Sequence, residues 1–164
     1  MNNVPFSPRF IWSFSRHGYF VSARSDAYAI DLTTPGTTAV KRIEMAGDKV
    51  AVNPEEKTDI EASTPRMLAV VDPNWRWNGA PIPDVKPYLK DLAVAVDGRI
   101  WVSISRPREV IPDDERAEPR VRNGVTIPPR AWREPFAYDV FEPDGRYLGR
   151  VPMPARSTWR SARG

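Results

Sequence analysis

Residues 92–104 read LAVAVDGRIWVSI, and residues 136–151 read FAYDVFEPDGRYLGRV. Each is an apolar run that stops at Asp-Gly-Arg and restarts on an aromatic or apolar residue. Asp-Gly suits a tight hairpin, because Gly accepts a positive φ and Asp tolerates such conformations. Asp97-Gly98 is therefore expected to join two strands. Asp144-Gly145, preceded by Pro143, is expected to join two more. The pattern predicts strands over 88–96, 99–105, 136–142 and 146–153. In RIWVSIS, period two puts Arg99, Trp101, Ser103 and Ser105 on one row and Ile100, Val102 and Ile104 on the other. A strand covered on both faces can bury both rows, so Trp101 is expected to be a core anchor.

The same arrangement recurs nearer the N-terminus. FIWSFSR at 10–16 and YFVSARSD at 19–26 flank a turn at His17-Gly18, a hairpin pattern. AYAIDL at 27–32 and TAVKRIEM at 38–45 predict a third and a fourth strand around Pro35-Gly36. Gly18 thus corresponds to Gly98, and Gly36 to Gly145. Core packing is the default expected for the strand aromatics Trp12, Tyr19, Phe20, Tyr28, Tyr138, Phe141 and Tyr147.

Two stretches interrupt the strands. Asn53-Pro54-Glu55-Glu56 predicts a helix N-terminus, with Asn53 as cap, Pro54 in the first turn and acids suited to the dipole. The helix is expected over about 54–62, with a break at Pro65. Residues 72–87 read as loop. The stretch 107–132 is charged, carries five Pro and lacks periodicity, so it is expected to be irregular and mobile. The resulting organisation is an extension over 1–9, a first strand unit over 10–52, a helix and loop connector over 53–87, a second unit over 88–154, and a tail over 155–164.

Length and composition bound the chemistry. The 164 residues suit one domain, and a hydrophobic content of 41% suits a packed core. Eighteen Pro favour loops and strand ends over long helices. There is no Cys, hence no disulfide or thiolate chemistry. The start lacks the charge and apolar run of a signal peptide, no run is long enough to span a bilayer, and the sequence leaves the compartment open. Net charge is +3, unevenly spread: residues 99–164 hold 13 basic groups, all Arg, against nine acids. Mixed-sign surfaces are the norm, so a nucleic-acid partner is not the first expectation.

Few residues offer site chemistry. His17 is the single His; it sits in a turn, without ligand spacing for zinc or a Ser on a nucleophile elbow. Asp113-Asp114-Glu115 is an acidic run without the alternating ligands and Gly of a calcium loop. No phosphate-binding loop is present. No cofactor, metal or catalytic residue is therefore expected. Trp75, Arg76 and Trp77 in one loop, and Trp132-Arg133 closing the long insertion, are the candidate ligand contacts; such residues also serve to cover apolar surface.

A four-stranded meander repeated every 40–50 residues or so is the pattern of β-propeller blades. KPYLKDLAVAVDGRIWVSISR at 86–106 and YDVFEPDGRYLGRVPMP at 138–154 resemble a blade of the six-bladed NHL and TolB-like families, and FSPRFIWSFSRHGYFVSARSDAYAIDL at 6–32 resembles the preceding blade. The resemblance implies an all-β chain of two antiparallel four-stranded blades with a short helix between them, an incomplete propeller. It implies a piece of a longer protein, because six blades are the family pattern and hydrophobic alternation stops in the tail. The functional expectation is a non-catalytic binding or interaction module of unknown ligand. Its expected partners are further blades or copies of itself against exposed blade faces. Alternatives are a fragment of a lactonase-like hydrolase, whose family relatives use a central divalent cation, and single-stranded RNA binding through the Arg-rich half. Such families are often exported.

Overall fold

A computed structural model describes residues 4–69, 71–77, 79–122, 124–127 and 129–154. The expected tail at 155–164 lies outside the described residues. In chain order, β1 (Phe10–Phe14), β2 (Phe20–Arg24), β3 (Ala29–Thr33) and β4 (Val40–Glu44) precede helix α1 (Pro54–Leu68). There follow β5 (Leu89–Val94), β6 (Ile100–Ile104), β7 (Glu109–Val110), a 3-10 turn (Asp113–Glu115), β8 (Arg120–Arg122) and β9 (Val125–Ile127). The last elements are β10 (Trp132–Arg133), β11 (Ala137–Phe141) and β12 (Tyr147–Pro152). The described chain is mostly β, all of it antiparallel, with one short α-helix and no closed barrel. The described residues divide into a sheet unit (within 8–48, 87–106 and 135–154) and a helix unit (within 4–7, 49–86 and 107–134).

The sheet unit holds two four-stranded sheets, ordered β1-β2-β3-β4 and β12-β11-β6-β5. Alternation gives each sheet one apolar row. Ile11, Val21, Ala23, Ile30, Leu32 and Ile43 of the first sheet share a core with Leu89, Leu92, Ile100, Val102, Ile104, Ala137 and Phe141 of the second. Burying each large member stabilises the fold by roughly 1.5–3 kcal/mol. Three turns have one construction. Gly18, Gly98 and Gly145 have φ of 82°, 87° and 94°, and their N–H groups donate to the carbonyls of Ser15, Ala95 and Glu142. A second bond returns from Ser15, Ala95 and Glu142 N–H to the carbonyls of Tyr19, Arg99 and Arg146. This is the three-residue hairpin whose last loop position needs a left-handed backbone. Asp97 and Asp144 brace their turns by accepting from the N–H groups of Arg99 and Arg146, at 3.1 and 2.9 Å.

Five packing expectations need correction. Trp101 is half-buried, outside the core row, with its ring edge-on to Tyr138 at 5.9 Å. Ile100 and Val102, on the opposite row, are fully buried. Trp12 and Tyr147 are exposed and Phe20 and Tyr138 only half-buried; in the first sheet this follows because β1 turns Ile11 inward and β2 turns Val21 inward, which sets their aromatic row outward.

In the helix unit, Asn53 caps α1: its side chain accepts from Glu55 N–H at 3.0 Å, and the Glu56 carboxylate accepts from Asn53 N–H at 3.4 Å. The helix runs past the expected stop and through Pro65 to Leu68. Pro removes a single donor close to the C-terminus, and Ala69 N–H donates to the Pro65 carbonyl at 2.8 Å to close the last turn. The stretch 107–132 also departs from expectation: it forms two short antiparallel pairs, β7 with β10 and β8 with β9. The readable signal was the Asn-Gly pair at 123–124 in VRNGVT, a strong hairpin pair. Gly124 has φ of 75°.

Candidate functional site

The outward row of the first sheet is the most distinctive surface. Period two along β1 puts Phe10, Trp12 and Phe14 on the face opposite Ile11. They are 61%, 55% and 69% exposed. Register places Arg24 across from Phe10, Ser22 from Trp12 and Phe20 from Phe14. The rings form one cluster: Trp12 lies 5.3 Å from Phe14 and 5.9 Å from Phe20, and Phe14 lies 5.0 Å from Phe20. Val40 of β4 is exposed on the same face, across Thr33 from Phe20.

The rest of this face is polar and internally paired. Arg42 Nε and Nη2 donate to the two carboxylate oxygens of Asp31 at 2.7 and 2.9 Å. This bidentate bond holds the Asp31 carboxyl below the usual carboxylate range. At the margin Arg24 holds Asp26 in the same way. Apolar rings and neutralised polar pairs thus share one sheet face.

Beneath it, the fold is stiffened by a buried polar cluster. Asp139, on β11, has no exposed surface. It accepts from the Tyr28 hydroxyl at 2.5 Å, the Tyr147 hydroxyl at 3.0 Å, and Arg150 Nε and Nη2 at 2.8 and 2.9 Å. Burial alone pushes this carboxyl up. The bonds from Arg150, Tyr28 and Tyr147 outweigh burial and hold it below its usual range. The Tyr28 phenol is pushed far up, by burial first and then by Asp139. Tyr28 belongs to the first sheet's segment and Asp139 to the second, so the cluster ties the sheets together. His17 does similar work: its Nε2 donates to the Val96 carbonyl at 2.9 Å.

The residues singled out in sequence fall elsewhere. Trp75 and Trp77 come together edge-on at 6.2 Å, and Arg76 turns back to donate to the Trp75 carbonyl. Trp132 Nε1 donates to Asp59 of α1 at 2.5 Å. Arg133 donates to Glu109 at 2.6 Å and Glu115 at 2.9 Å, and these bonds push its guanidinium further toward the charged form. Asp113 pairs with Arg116 at 2.8 Å. Gly18, Asp97, Gly98, Asp144 and Gly145 all sit in the hairpin turns described above.

A second buried group holds the helix unit together. Lys86 Nζ lies 2.7 Å from Glu56 and 3.0 Å from Glu134, under the Phe6 ring. Among the described residues, no group of three or more His, Cys, Asp or Glu is placed to hold a metal ion. Nor is any described helix long and apolar enough to cross a membrane. No protein-family model, curated protein or solved structure matches the chain.

Sequence reasoning passed over the aromatic face. FIWSF puts Phe10, Trp12 and Phe14 on one row and Ile11 with Ser13 on the other, so periodicity pointed to the aromatic row as the buried one, whereas the packed sheet turns Ile11 inward. The available signal was size: β-branched Ile11 suits close sheet packing, and three rings in one row form a surface.

Proposed function

We propose that this chain is a non-catalytic interaction module that works through the aromatic face of its first sheet. The observation that carries this reading is the row Phe10, Trp12, Phe14, each ring more than half exposed. Contiguous apolar surface of this kind marks a site of association. The inter-sheet core and the Asp139 cluster give the face a rigid support, which a recognition surface needs. In this reading the two sheets are propeller-like blades of the NHL and TolB-like kind, part of a longer array. Stacked repeats leave the outer face of an end repeat uncovered, and the aromatic face fits that position. Charge pairing disfavours the RNA alternative. Arg99, Arg108, Arg116, Arg133, Arg146 and Arg150 each face a carboxylate, which leaves them less available to phosphates.

The double variant Trp12→Glu with Phe14→Glu tests the reading. For surface rings the urea midpoint should correspond to a loss below about 1 kcal/mol, while binding of an apolar fluorescent dye falls. A loss of about 3–5 kcal/mol, as for a truncated core aromatic, would show that the rings belong to the fold and not to an interface.

A further inference from the structure

The aromatic row reads the same in both directions. Trp12 stands at its centre, with Phe10 two residues before and Phe14 two residues after. Consider a two-fold axis in the plane of the face, crossing β1 at Trp12. It lays β1 of one copy antiparallel on β1 of another and keeps β2 over β2. Trp12 then meets Trp12, and Phe10 meets Phe14 of the second copy. By the register of β1 with β2, Ser22 meets Ser22, and Arg24 lies over Phe20 of the second copy as a cation over a ring. Such reciprocal contacts are what an isologous interface requires.

The charges agree with this occupant. Arg24 and Arg42 are already balanced on their own copy by Asp26 and Asp31. A near-neutral face gives little attraction to a polyanion or an anionic bilayer, and little repulsion to a copy of itself. Resting on the interaction-face reading above, we propose that the occupant of this face is a second copy of the chain, docked about that two-fold axis. Each aromatic ring carries about 150–250 Å². With the three rings of each copy 55–69% exposed, covering them buries at most roughly 550–900 Å² in total, below the size of stable specific interfaces and in the range of weak, transient ones. A dimer of this size is weak and forms only as concentration rises.

Sedimentation velocity of the full chain across the micromolar range tests this. The wild type should pass from monomer to dimer as concentration rises, and Trp12→Arg should stay monomeric with an unchanged circular dichroism spectrum. The two-fold geometry has its own readout, because the wild type has no Cys. Ser22→Cys should give a covalent dimer with a short thiol cross-linker. Arg24→Cys should not, because its counterpart lies two residues off the axis on each copy, about 13 Å away along the strand. A wild type that stays monomeric throughout overturns the proposal. So does a dimer that Trp12→Arg leaves intact, or one cross-linked through Arg24→Cys but not Ser22→Cys. A monomer whose dye binding still falls in the glutamate double variant refutes self-pairing alone and leaves the interaction-face reading standing.

Discussion

Replacing Asp139 by Ala is the most informative single perturbation of the fold. It removes one carboxylate and four hydrogen bonds from a fully buried position. Tyr28, 8% exposed, is left with a buried hydroxyl, a loss of roughly 1–3 kcal/mol if it finds no new partner. Arg150 fares better, because its side chain is 42% exposed and water can replace part of the lost pairing. Breaking a fully buried pair costs about 3–5 kcal/mol, so the half-exposed Arg150 brings the expected loss to about 3 kcal/mol. For a chain of this size that corresponds to a fall in Tm of roughly 6–12 °C. Tyr28→Phe removes one of the four bonds and should cost about 1–1.5 kcal/mol. Urea denaturation followed by both circular dichroism and tryptophan fluorescence measures each loss. The pH dependence supplies an independent check. The folded carboxyl lies below its unfolded value, near 4. Its contribution is therefore fully present above that unfolded value and fades as pH falls through the folded one. An Asp139→Ala variant within about 1 kcal/mol of wild type, or one that keeps the wild-type acid limb, would refute the view that this cluster locks the sheets.

Three further outcomes follow from the packing. Gly98→Ala should cost about 1–2 kcal/mol by thermal melting, since Gly98 has φ of 87° and an added Cβ would sit 3.3 Å from His17 Cδ2; Gly124→Ala, with φ of 75° but open space around it, should cost less. Lys86→Ala leaves Glu56 and Glu134 buried without their shared ammonium, so about 3–5 kcal/mol should be lost from the helix unit, read as earlier hydrogen exchange in α1 than in β6. Phe141→Ala, in the core and fully buried, should cost about 3–5 kcal/mol, whereas Trp101→Ala should cost clearly less; equal denaturation midpoints would restore Trp101 to the core.

Strands and turns were legible because their causes are local. Period-two alternation marked all eight strands of the two large sheets, and Gly placed the three matching hairpins, since a left-handed loop position depends on its own residue and its neighbours. Asn53-Pro54-Glu55-Glu56 announced α1 for the same reason. Local rules also explain the misreadings. Pro65 looked like a stop, yet near a C-terminus its missing N–H removes a single bond. FIWSF sets three rings on one row against Ile11 and Ser13 on the other, and RIWVSIS sets Trp101 on the row opposite Ile100, Val102 and Ile104; the choice between rows is made by the sheet that packs against them. Tertiary structure alone turned Ile11 and Ile100 inward, and with them exposed Trp12 and left Trp101 half-covered. It also decided which charges meet. Tyr28 reaches Asp139 across 111 positions of sequence, and Lys86 reaches Glu134 across 48. No periodicity encodes such pairs: a buried charge is tolerable only beside its partner, and chain packing brings the two together.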